Sequence, residues 1–123
     1  MKDLKISEML QMQKALWEKH KDSWSPLEPA FARNSILWMI EELGEVIAVI
    51  KKRGESEIMN DSVLRREFIT ELADVFMYFN DVLLRYEVTP EEISEVYIAK
   101  YNENMRRDFD NEHQNYLKHP DTL

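Results

Sequence analysis

The chain contains no cysteine, only two glycines and four prolines in 123 residues. Without cysteine there is no disulfide framework, no thiolate zinc site and no cysteine nucleophile. So few turn-forming residues exclude a sheet protein of many short strands. The prolines stand at 26, 29, 90 and 120, so residues 30–89 are free of them. Long apolar runs are also missing. The longest, Ile36 to Ile40 and Val46 to Ile50, are five residues each, whereas a membrane span needs about 20. The opening Met1-Lys2-Asp3-Leu4-Lys5 has no apolar segment behind it, so no secretory signal is read and a cytoplasmic location is expected. Nor is there any cationic excess: 16 basic against 24 acidic residues give −8. That balance argues against a nucleic-acid polymer as partner and against docking on an anionic membrane.

What is present is a globular composition, 44% hydrophobic and 33% charged, of a length that fits one domain with a real core. Four helices are expected. The first covers about residues 4–20, with Ile6, Met9, Leu10, Gln13, Leu16 and Trp17 at helical spacing, and stops before Ser23-Trp24-Ser25-Pro26. The second covers about 31–53 and ends at Gly54. The third begins near Asn60-Asp61-Ser62, all good N-cap residues, and runs to Arg85 or Tyr86. The fourth starts with Thr89 as cap, Pro90 at the first position and Glu92 three residues after the cap, and runs to about Asp108. The expected organisation is one all-α domain over 1–110 and a frayed tail over 111–123. Long helices with a short connection predict an antiparallel bundle.

The two central helices carry contrasting stripes. Ile36, Ile40, Leu43, Ile47 and Ile50 share a face of the second helix and read as its core stripe. Leu64, Phe68, Leu72, Val75, Phe76, Phe79 and Leu83 do the same on the third. A different face of the second helix bears Trp38, Glu42, Glu45, Val49 and Lys52, with Glu41 beside it. On the third helix, Glu67, Glu71, Asp74, Tyr78 and Asp81 lie together. Glu42 with Glu45, and Glu71 with Asp74, are like-charged pairs three residues apart, a spacing that slightly destabilises a helix. A single such pair is commonly just a solvated face; two on neighbouring apolar helices ask for a reason. Gly44, inside Glu41-Glu42-Leu43-Gly44-Glu45, costs about 1 kcal/mol relative to alanine mid-helix. It would let a helix or a ligand approach closely.

If the two pairs face each other, four carboxylates converge, and an all-oxygen set suits a hard cation, Mg²⁺ or Mn²⁺. A di-iron bundle would also need Glu-x-x-His elements. The residues three before His20, His113 and His119 are Trp17, Asp110 and Tyr116, so no such element exists. On the fourth helix Lys100, Asn104 and Arg107 fall on one face, with Tyr97 close by. They form either a set of donors suited to phosphate oxygens or a surface stripe that pairs with acidic neighbours.

Glu41-Glu42-x-x-Glu45 followed by Glu71-x-x-Asp74 resembles the EExxE…ExxD signature of the all-α nucleoside triphosphate pyrophosphohydrolases, which include the MazG-like proteins and the dimeric all-α dUTPases. The run from Lys100 to Asp108 is similar to the later K-x-x-x-N-x-x-R element of those families. The resemblance spans roughly residues 6–110. It implies a MazG-like bundle of four to five helices completed by oligomerisation, as a homodimer or homotetramer. The implied activity is Mg²⁺-dependent hydrolysis of a nucleoside triphosphate to monophosphate and pyrophosphate, in nucleotide-pool house-cleaning. By the same resemblance Glu42, Glu45, Glu71 and Asp74 are metal ligands, Glu41 activates the attacking water, and Lys100, Asn104 and Arg107 hold the triphosphate. Trp38, one turn before Glu42, and Tyr78, one turn after Asp74, flank that site and can stack on a base or sugar, or else serve as core or interface aromatics. The competing reading is a non-catalytic oligomeric helical module that binds nucleotide or metal without turnover. A cation-stabilised structural bundle is a third.

Overall fold

The computed structural model describes residues 2–118. Among them there are six α-helices and one short 3₁₀ turn, and no strand. The helices are α1 (Ile6–His20), α2 (Ala32–Arg53), α3 (Glu55–Asn60), α4 (Ser62–Arg85), α5 (Pro90–Arg106) and α6 (Phe109–Lys118), and the 3₁₀ turn is Pro29–Phe31. No helix among the described residues is long and apolar enough to cross a membrane. The chain divides into two compact units, Met1–Pro90 and Glu91–Leu123.

Local chemistry sets the boundaries. At the start of α1 the Lys5 amide donates to Glu8 Oε1 at 2.8 Å, one half of a capping box. The Asp61 carboxylate caps α4, accepting from the amides of Val63 and Leu64 at 3.0 and 3.1 Å. Gly54 ends α2 with φ +81°, a conformation that favours glycine. The chain restarts at once as α3, a single short helix absent from the sequence expectation, whose Ile58 is buried. The expected tail also carries a helix. Asp108 Oδ1 accepts from the Asn111 amide at 3.0 Å, which caps α6. Pro120 and Asp121 of that tail, and His119, lie outside the described residues.

In the first unit α2 packs along α4, while α1, α3 and the 3₁₀ turn close around the pair. Ser35 bonds to Asp81 and Trp38 meets Tyr78, so α2 and α4 run antiparallel. Among the described residues the buried apolar positions are Leu10, Ala32, Val46, Ile58, Leu64 and Leu83.

The stripe expectation is corrected here. The face of α2 that turns towards α4 carries Ala32, Ser35, Met39, Glu42, Val46 and Val49, all buried or half-buried at a three-then-four spacing. The expected core residues Ile36, Ile40, Leu43 and Ile47 are exposed, as are Leu72, Phe76 and Phe79 of α4. Only Ile50, Leu64, Phe68, Val75 and Leu83 of those two stripes are buried or half-buried. The physical reason is that the polar members of the packed face satisfy one another, so the helices can close on it. The more apolar faces are thereby left outside the chain. The antiparallel register sets Ile40 level with Phe76 and Leu43 level with Leu72, on one side of the hairpin.

Candidate functional site

Where α2 and α4 face each other, three carboxylates draw together. One oxygen each from Glu42, Glu71 and Asp74 lie within 4.8 Å of one another, and all three residues are half-buried. Burial lifts the Glu42 pKa above the ordinary carboxylate range, and a hydrogen bond with Glu71 and the charges of Asp74, Glu71 and Glu45 push the same way. Two carboxyls in hydrogen-bond contact share a proton unless a cation replaces it. The donor set is all oxygen, as a hard dication requires. The ligand oxygens around a small dication stand about 3 to 4 Å apart, so little closure would bring these three into a coordination shell. Exposed acidic groups also cluster without any ion, so the fit speaks to chemistry, not to occupancy.

Glu45, the expected fourth ligand, is exposed and stands outside this trio, although its charge still reaches Glu42. Glu41 is exposed beside Glu42, close enough for its charge to act on the Tyr78 phenol. That phenol is raised by burial first, then by Glu42, Asp74, Glu41 and Asp81. Trp38 and Tyr78 approach each other at 6.0 Å between ring centroids with a 49° tilt, so the two aromatics expected to flank the carboxylates do come together. A β-carbon added at Gly44 would meet nothing within 4 Å, so no described residue of this chain uses its small size.

A cavity of about 540 Å³ opens beside the trio, lined on this side by Glu42, Asp74, Trp38 and Tyr78. Beneath it runs a buried polar chain that links three segments. The Ser35 hydroxyl on α2 donates to Asp81 Oδ2 on α4. Arg85, one turn on, donates from Nε to the same oxygen at 2.7 Å and from Nη1 to Ser25 Oγ at 3.0 Å. Arg85 also donates to the Pro26 carbonyl, and Trp17 Nε1 donates to the Ser25 carbonyl at 2.9 Å. The proline-containing loop is thus tied to α1 and α4 and forms one wall of the cavity. His20 stacks on Trp24 in the same region, 4.7 Å between centroids. Asp81 is legible as a member of the acidic stripe, whereas Ser35 and Arg85 fall outside every stripe. The available signal was an Asp and an Arg four residues apart inside an apolar helix, a spacing that allows a pair.

Lys100, Asn104 and Arg107 belong to the second unit. Lys100 lies 3.6 Å from Glu103. Arg107, one residue past the end of α5, donates from Nη1 to Asn104 Oδ1 at 3.4 Å and from Nε to Glu112 at 3.0 Å. Its guanidinium sits 4.4 Å over the Phe109 ring. The hydrogen bond from Arg107 holds the Glu112 carboxyl below its usual range. No protein-family model matches this chain, and neither a curated protein nor a solved structure is significantly similar to it.

Proposed function

We propose that the protein is a divalent-cation-dependent nucleoside triphosphate pyrophosphohydrolase of the MazG-like, all-α type. The observation that carries the reading is the joining of Glu42, Glu71 and Asp74 beside a cavity of nucleoside size walled by Trp38 and Tyr78. The sequence element to which these acids belong, with Lys100, Asn104 and Arg107 further on, supplies the rest of the argument.

In this reading Glu42, Glu71 and Asp74 hold Mg²⁺ or Mn²⁺, with Glu45 on the adjacent turn as a further carboxylate. A cation held there would supply positive charge for the phosphate oxygens and lower the pKa of the attacking water. Glu41 accepts the proton of that water as its oxygen bonds to the α-phosphorus. The bond from that phosphorus to the bridging oxygen breaks, and pyrophosphate leaves. Trp38 and Tyr78 offer ring faces to the base or sugar. The resemblance alone assigns the triphosphate oxygens to Lys100, Asn104 and Arg107. The exposed apolar faces of α2 and α4 favour a homodimer or homotetramer, because monomers rarely leave so much contiguous apolar surface in water.

The test is a panel of ribo- and deoxyribonucleoside triphosphates, canonical and modified, with Mg²⁺ and Mn²⁺ in parallel, scored for pyrophosphate and monophosphate. Release from at least one substrate is expected. Glu42→Gln and Glu71→Gln should each lower kcat by 100-fold or more, on the order of one lost electrostatic contact in the transition state. A panel without any release would defeat the reading. Binding of nucleotide and metal without turnover would favour the non-catalytic module instead.

A further inference from the structure

The deep end of the cavity, away from the carboxylate trio, is polar in a way that the hydrolysis chemistry does not use. Asp81 lines it while only 5% exposed, and both of its hydrogen bonds, from Ser35 and Arg85, end on Oδ2. A carboxylate has about four acceptor positions. Oδ1 takes part in neither bond, yet no buried side-chain oxygen among the described residues lacks a partner, so Oδ1 keeps an opening to the cavity that Asp81 lines. Arg85 lines the cavity too, with its Nε taken by Oδ2 and its Nη1 by the loop at Ser25 and Pro26. From α1, Gln13 lines the same cavity at 8% exposure and makes no side-chain hydrogen bond to a described residue, so its amide, like Asp81 Oδ1, opens to the cavity. A polar side chain nine-tenths buried is normally paired. An unpaired amide, with a donor and an acceptor, facing a cavity together with a carboxylate is an incomplete hydrogen-bond set that a ligand would complete.

We infer that this end of the cavity is a nucleobase pocket selecting bases with an exocyclic amino group. Asp81 Oδ1 accepts from the amino group, the Gln13 amide meets the neighbouring ring nitrogen or carbonyl, and Trp38 supplies a stacking face. A carboxylate is an acceptor only, so a base with a carbonyl at that position would set two acceptors against each other. Arg85 and Ser35 are positioning residues: they fix the Asp81 carboxylate through Oδ2. This deepens the proposed function and rests on its placing of the phosphates at the Glu42, Glu71 and Asp74 end.

Calorimetric titration of the full chain with nucleoside monophosphates tests the pocket without requiring turnover. The pairs are cytidine against uridine and adenosine against inosine monophosphate, each differing by amino for carbonyl. In at least one pair the amino member should bind about tenfold or more tighter. Asp81→Asn, whose amide can donate, should reduce that ratio to near unity. Gln13→Leu should weaken the preferred ligand several-fold while the protein stays folded, because Gln13 makes no internal bond to lose. If Asp81→Asn does not fold by circular dichroism, Gln13→Leu decides alone. Equal affinity within both pairs, no binding by any of the four, or unchanged affinity in Gln13→Leu would overturn the inference even if triphosphates are hydrolysed. Discrimination between the pairs with no hydrolysis of any triphosphate would overturn the proposed function and leave the pocket standing.

Discussion

In the metal-free protein Glu42 shares its half-buried place on α2 with the carboxylates of Glu71 and Asp74, and burial and these neighbours lift its pKa. The folded state therefore holds this proton more tightly than the unfolded chain does. Below the ordinary carboxylate range Glu42 is protonated in both states and costs nothing. As pH rises through the unfolded and then the folded pKa, stability is lost, and the full cost is present above the folded value. Glu42→Gln should thus raise the metal-free melting temperature by a few degrees at neutral pH. The gap to wild type should close towards pH 4, and Mg²⁺ should raise the wild type but not the variant. A melting-temperature series against pH, with and without Mg²⁺, checks this; a gap that does not change with pH would disprove the coupling. Asp81 and Arg85 make the opposite case, an ion pair whose side chains are almost fully enclosed. Arg85→Ala strands the Asp81 charge and should cost about 3–5 kcal/mol in urea unfolding. Adding Asp81→Asn to that variant should recover part of the loss. The carboxylate trio could be read from the sequence because its spacing is local to each helix. The Ser35–Asp81–Arg85–Ser25 chain could not, because it joins residues up to 60 positions apart whose meeting depends on how the helices rotate.

Among the helices, what the sequence reveals is the ends rather than the facing. The Asp61 cap and the Gly54 stop each act within a few residues and stand where the pattern places them, while the Lys5–Glu8 capping box starts α1 two residues later than the apolar spacing suggests. The rotation of α2, and in part that of α4, is not legible because both helices are apolar on more than one face. Counting hydrophobic residues picks Ile36, Ile40, Leu43 and Ile47, whereas the chain packs through Ser35, Met39, Glu42 and Val46. The end of α4 shows a further local device. The Val88 amide donates to the Leu83 carbonyl at 2.8 Å and the Glu87 amide to that of Leu84 at 3.0 Å, the two bonds of a Schellman turn. Its left-handed position is usually glycine, but here it is Glu87 at φ 55°. Glu87→Gly relieves the β-carbon clash there and should stabilise the protein by about 1 kcal/mol, read as a higher urea midpoint with an unchanged slope. A destabilised variant would mean that the Glu87 side chain contributes more than its backbone costs.

For the molecule as a whole, the apolar surface left by this packing is the dominant unsolved contact. Ile40 is 57% exposed and Phe76 55%, level with each other on one side of the α2–α4 hairpin, with Leu43 and Leu72 at the next level. Each chain also carries −8. Two copies repel at long range, and only burial of apolar area at short range can hold them together. A homodimer formed through this face should therefore be strengthened, not weakened, by added salt, since screening removes the repulsion and leaves the hydrophobic term. Sedimentation of the wild type at micromolar concentration should give a multiple of 14.8 kDa. Ile40→Asp with Phe76→Asp should return it to one chain's mass while circular dichroism stays helical, because neither side chain is buried within the chain. The variant should also lose most of its hydrolytic activity if the assembly holds α2 and α4 at the spacing that Glu42, Glu71 and Asp74 need. A wild type that sediments as a single chain at every salt concentration would remove the oligomer from the proposal, and a dissociated but fully active variant would show that each chain forms its site unaided.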